Sequence, residues 1–124
     1  MWMQKIIIFF ILFACYIGYS ILIYSKGTAD HISVASDQAI KINKGKTLFQ
    51  QHNCVACHQI YGLGGYIGPE LTTAWSDKNR GEAYMRIFLK NGGTVMPNFH
   101  FRDEEIDNII AYLHYVDTTA STYR

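Results

Sequence analysis

Twenty consecutive residues near the start of the chain, Ile6–Ser25, carry no formal charge. As a helix at ~1.5 Å per residue, such a run spans about 30 Å, the thickness of a bilayer's hydrocarbon core. Lys5 precedes it and Lys26 follows it, and Trp2, Tyr19 and Tyr24 lie near its two ends, where aromatic anchors sit. A cleaved signal peptide is the competing reading, with Gly27-Thr28-Ala29 as a passable cleavage site, but the run is too long for the apolar region of a signal. A lipoprotein signal ending at Cys15 fails for another reason: the residues after Cys15 continue apolar. We read residues 1–27 as a retained membrane anchor, so that membrane lipid is one of the partners. About a hundred of the 124 residues are left to fold outside it, enough for one small domain.

The remainder divides into a polar linker, 28–38, one globular unit, 39–118, and a polar tail, 119–124. With 11 basic and 10 acidic residues in the whole chain, no basic excess is available for nucleic acid, and an aromatic content of 15% argues against disorder. Helical spacing recurs along the unit. Ile42, Gly45, Leu48 and Phe49 mark one face of a helix over 39–52, and the glycine on that face signals a backbone passing close by. Gly81–Lys90 reads as a short helix with Ala83, Tyr84, Ile87 and Phe88 inward, stopped by Asn91-Gly92-Gly93. The last helix runs from Asp103, which can cap it, to Val116, and buries Ile106, Ile109, Ile110, Leu113 and Val116. Tyr61–Pro69 is a glycine-rich loop, and no stretch alternates like a strand. The expected fold class is all-α. A few short helices with long glycine-rich connections make a thin core, the kind that needs a cofactor or metal as a staple.

Cys54-Val55-Ala56-Cys57-His58 is a C-x-x-C-H motif, the attachment signal for c-type haem. The spacing has a physical reason. Two cysteines three apart on a helical turn face the same side, so each can form a thioether to one vinyl group, and His58 follows directly as an iron ligand. A thioredoxin-like redox pair would need a βαβ surrounding, and a zinc site built on Cys54, Cys57, His58 and His52 would need a further ligand set. The second axial ligand is read as Met96, in Gly92-Gly93-Thr94-Val95-Met96-Pro97, because a soft thioether beside a stiffening proline suits the role. Met85 and His100 are its rivals, while His31, His52 and His114 read as surface or packing residues. The Pro69 carbonyl is placed to accept the free ring N–H of His58, as metal-bound histidines require. Cys15, inside the anchor, reads as a packing residue.

These residues carry a resemblance. Over Ala39–Val116 the chain resembles class I cytochromes c, with Gly45 and Phe49 on the first helix, Tyr112 and Leu113 on the last, and Cys54, Cys57, His58, Pro69 and Met96 matching the haem-binding pattern. The run from Cys57 to Thr72, with Gly62, Gly64, Tyr66, Pro69, Glu70 and Leu71, is similar to the small subunit of cytochrome c-dependent nitric oxide reductase, although Leu63 stands where that family usually has a glutamate. The blocks Phe88-Leu89-Lys90, Met96-Pro97 and Glu104-Glu105-Ile106 are also similar. The resemblance implies one covalent haem c and a non-catalytic electron-transfer role. It implies two partners, a soluble donor cytochrome or small redox protein and a large polytopic haem-containing catalytic subunit. It also implies a calcium ion at the interface with that subunit, to which Gly64 and Tyr66 would contribute oxygens, and a domain on the periplasmic or exterior side of the membrane. Subunits of haem–copper oxidases and free-standing tethered shuttles are the alternatives. The part outside the anchor is nearly balanced in charge, so steering of a partner should be weak and docking should rest on apolar residues, with Tyr61, Leu63, Tyr66 and Ile67 as candidates.

Overall fold

A helix as apolar as the first one has no reason to bend or break before its charges return. In the computed structural model, which describes residues 2–26 and 34–120, α1 runs unbroken over Trp2–Lys26. Its window Trp2–Ser25 has a mean hydropathy of 2.7 and none of it is buried, so α1 is long and apolar enough to cross a membrane. The chain divides into two units, Met1–Ser33 and Val34–Arg124. The cleavage-site candidate Gly27-Thr28-Ala29, His31, most of the linker and the last four residues lie outside the described residues.

In the second unit, α2 spans Ser36–Gln51 and α4 spans Asp103–Thr119, and these two make the main packing of the fold. α2 therefore starts inside the stretch read as linker, and α4 continues three residues beyond Val116. They cross at Gly45, where any Cβ would fall on the Asn108 carbonyl, with the Tyr112 Cβ 2.9 Å away. Phe49, one turn later, is 3% exposed and its ring lies 5.6 Å from that of Tyr112. The α4 stripe is buried as its spacing predicts, with Ile106 and Ile109 fully enclosed.

α4 does not start at an Asp103 cap. The cap position is Arg102, whose N–H donates to the Glu105 carboxylate at 2.9 Å, while Asp103 pairs with Lys90 at 3.0 Å. Glu105 wins because a longer side chain three residues on can reach back over the first turn.

α3 spans Gly81–Asn91, and its inward face differs from the expected one. Met85 and Leu89 are buried, whereas Ala83 and Ile87 face solvent. Tyr84 is exposed and Phe88 half-buried, and both border the cavity described below. The helix carries apolar residues on more than one side, so periodicity alone does not select the packed one. A two-residue antiparallel pair, β1 (Gln59–Ile60) with β2 (Leu63–Gly64), closes the turn after the cysteine motif. It is too short to leave an alternating pattern.

Candidate functional site

α2 ends at His52, and Asn53 in a left-handed conformation (φ 51°) turns the chain into a single 3₁₀ turn, Cys54–Ala56. The N–H groups of Cys57 and His58 both donate to the Cys54 carbonyl, at 3.2 and 2.9 Å, which curls the five-residue motif onto itself. The glycine loop then folds back over it: Gly65 N–H donates to the Val55 carbonyl at 2.9 Å and Gly68 N–H to the Cys57 carbonyl at 2.8 Å. Cys54 and Cys57 are both half-buried. Burial, more than the neighbouring Cys57, pushes the Cys54 thiol above the ordinary cysteine range, so it sits as a neutral group in an apolar wall.

Nδ1 of His58 lies 2.8 Å from the Pro69 carbonyl oxygen. A carbonyl only accepts, so Nδ1 carries the hydrogen, which in the neutral tautomer leaves the lone pair on Nε2. The imidazole rests against Gly68, where a Cβ would come within 2.6 Å of Nδ1 and 2.9 Å of Nε2. Any other residue there would occupy the ring's space.

An apolar cavity opens beside this histidine in two adjoining lobes of ≈ 230 and ≈ 280 Å³. Cys54, His58 and Met96 line both lobes. The first lobe runs in against Phe49, Leu71, Met85, Leu89 and Leu113, and the second reaches Cys57 and Phe99. Together they fall in the ~300–1,000 Å³ range of small-molecule and cofactor sites. Met85 borders only the first lobe and is 6% exposed, while His100 borders neither. Gly92, at φ 72°, ends α3, and Gly93 N–H donates to the Met96 carbonyl at 2.8 Å, so a tight turn presents Met96 to the cavity.

Of the other described histidines, His52 borders the second lobe, whereas His100 and His114 border neither. His52 Nδ1 is 3.0 Å from the Leu48 carbonyl, and its ring meets Phe99 and Phe101 edge-on at 5.3 and 4.7 Å. His114 stacks on Trp75 at 4.2 Å. Among the described residues no three His, Cys, Asp or Glu side chains converge on a metal position, as the zinc reading requires. Gly64 sits in β2 and Tyr66 is 86% exposed on the loop after it. Two carbonyls fall short of the ~6–8 oxygens calcium takes, so further oxygens would have to complete such a site.

The residues present do fit a haem. Two thiols and a histidine line a wall of an apolar cavity, a glycine gives the imidazole its space, and a thioether borders both lobes. Among the lining residues that sequence reasoning missed is Arg80, the only lysine or arginine among the described residues of either lobe. It sits in the polar stretch Ser76–Arg80, which carries no motif.

Comparison with known proteins places these observations among relatives. The family described as "Cytochrome C oxidase, cbb3-type, subunit III" matches residues 41–113. The nitric oxide reductase C subunit of Halomonas halodenitrificans is 26% identical over 121 residues, covering 88% of this chain and 78% of that protein. Its counterpart in Stutzerimonas stutzeri is 26% identical over 88 residues, covering 63% and 60% respectively, and that of Cereibacter sphaeroides is 26% identical over 85 residues, covering 59% and 58%.

Proposed function

Because the chain belongs to the family described as cytochrome c oxidase, cbb3-type, subunit III, we propose that it is a membrane-anchored monohaem cytochrome c that passes electrons from a soluble donor to a large membrane-embedded haem protein. Similarity to three nitric oxide reductase C subunits supports a partner that reduces nitric oxide to nitrous oxide. The observation that carries the reading is the cavity on which Cys54, His58 and Met96 converge.

Cys54 and Cys57 would hold the porphyrin by thioether bonds, with His58 Nε2 and the Met96 sulfur as axial ligands. Haem bound this way supplies one chemistry, the exchange of a single electron between ferrous and ferric iron. The chain's own residues make that exchange easy. The Pro69 carbonyl fixes the His58 ring and raises its basicity. With Met96 as its second axial ligand, the iron would offer no open position to a gas or peroxide. The core residues of the first lobe exclude water, which favours the less charged ferrous state.

The mouth of the cavity suits apolar docking. Ile67 and Val95 border both lobes and are 68% and 72% exposed, and Leu63 nearby in the chain is 76% exposed. Tyr61 has another task, because its hydroxyl donates to the Val116 carbonyl at 3.2 Å. Charged neighbours on α3 are tied up, Arg86 with Glu82 and Asp107, and Lys90 with Asp103. Haem attachment outside the cytoplasmic membrane would put the second unit on the periplasmic or exterior face, with Lys5 inside. A calcium ion at Gly64 and Tyr66 would need most of its oxygens from the partner.

The family description favours a second reading, a cytochrome subunit of a haem–copper oxidase. Isolation of the full chain in mild detergent decides. Co-purification with a polytopic haem protein that consumes nitric oxide supports the first reading, and consumption of oxygen alone supports the second. A colourless or zinc-loaded product would overturn both.

A further inference from the structure

Arg80 is held in place by its own neighbourhood and reaches one more group. Its Nε donates to the Asp77 carboxylate at 2.7 Å, and an Nη donates to the Glu70 carbonyl at 2.8 Å. Asp77 is fixed in turn, since the Asn79 N–H donates to it at 2.8 Å. The Arg80 side chain is only 25% exposed, so the contact to Glu70 is partly shielded from water. Glu70 follows Pro69 directly. The Leu71 N–H, in the same peptide unit as the Glu70 carbonyl, donates to the Gln59 carbonyl at 2.9 Å. That peptide unit is therefore pinned on both sides, by Gln59 and by Arg80. On the other side of Pro69, Gly68 N–H is pinned to the Cys57 carbonyl. Proline fixes its own φ but not the direction of its carbonyl, which follows the next peptide.

We propose that Arg80 is a positioning residue for His58: by holding the Glu70 carbonyl it keeps the Pro69 carbonyl aimed at the imidazole Nδ1–H. The inference rests on His58 being the haem ligand. Arginine suits the task because its planar fork serves a carboxylate and a carbonyl at once from separate nitrogens, whereas an ammonium gathers its donors on one atom and lacks that fixed geometry. The consequence falls on the iron. A firm hydrogen bond from Nδ1–H makes the imidazole a better donor and favours the ferric state, so loosening it raises the midpoint potential.

The test uses the full-length holoprotein in detergent, with Arg80→Lys, which keeps the charge and loses the fork. Two quantities are read: hydrogen–deuterium exchange of the His58 Nδ1–H by NMR, and the midpoint potential. Exchange should quicken by about tenfold, the factor that one ordinary hydrogen bond is worth, and the potential should rise. A loss of charge cannot explain either change, because none is lost. Unchanged exchange and an unchanged potential would overturn the proposal. Should Arg80→Lys fail to yield holoprotein, Asp77→Asn decides, because it frees one arm of the same fork: faster exchange supports the role and unaltered exchange refutes it. Wild-type protein that takes up no haem would instead sink the reading of the site itself, and the two failures are told apart by colour.

Discussion

Gly45 of α2 and Asn108 of α4 meet with no space between them for a single carbon atom, since a Cβ on Gly45 would overlap the Asn108 carbonyl. Gly45→Ala sets two effects against each other. Alanine favours the helix by about 1 kcal/mol. The overlap is with backbone on one side and the Tyr112 Cβ on the other, so neither helix can yield cheaply. Overpacking of a core costs about 1–3 kcal/mol, more where backbone must move. The variant should lose about 2 kcal/mol in denaturant unfolding, the upper end of that cost less the helix gain, and a gain in stability would show that the crossing is looser than described.

A second close approach lies at the site. A Cβ at Gly68 would stand 2.6 Å from His58 Nδ1. Gly68→Ala must therefore push the imidazole off its present seat and lengthen the contact to Pro69. The helices that form the core do not touch this position, so the domain should stay folded by circular dichroism. The holoprotein should show a shifted Soret band and a weakened His58 ligation on acid titration. A spectrum identical to wild type would mean that the ring has room to spare.

The sequence makes some of this legible and conceals the rest for identifiable reasons. Gly45 and the α4 stripe are local patterns: each announces itself through spacing, and each stands where its pattern says. The inward face of α3 is not local. Tyr84 and Phe88 border the cavity, whose apolar demand mimics that of a core, so the face read as buried is partly the face toward the cavity. The Arg102–Glu105 cap is hidden by Asp103, a stronger cap by type but one drawn away by Lys90. Arg80 gives no signal at all, because its importance lies in a bond to a backbone carbonyl ten positions earlier.

Met96 carries the next prediction. It is the methionine that borders both lobes, and the tight turn from Gly93 leaves it half-buried. Met96→His would replace a soft sulfur by a harder nitrogen that stabilises ferric iron. The charge-transfer absorption of ferric Met ligation should vanish and the midpoint potential fall by about 0.1 V or more, within the ~0.8 V span that axial ligands command. Met85→Leu, by contrast, should leave both unchanged, since Met85 is a packed side chain on α3. The reverse pattern would move the ligand assignment from Met96 to Met85.

Acid should weaken the domain at the start of α4. The Arg102 guanidinium, and then the Arg102 N–H, hold the Glu105 carboxyl below the ordinary glutamate range. A carboxyl with a lowered pKa in the folded state binds fewer protons there than in the unfolded chain. Its contribution is therefore complete above the unfolded pKa of about 4.3 and is lost as pH falls through the lower folded value. Glu105→Gln removes the charge and keeps an acceptor. The variant should melt below wild type at pH 7, and the gap should close as both are taken below pH 4, read as thermal midpoints of the holoprotein. A gap that persists undiminished in acid would place the role of Glu105 in its shape, with the charge contributing nothing.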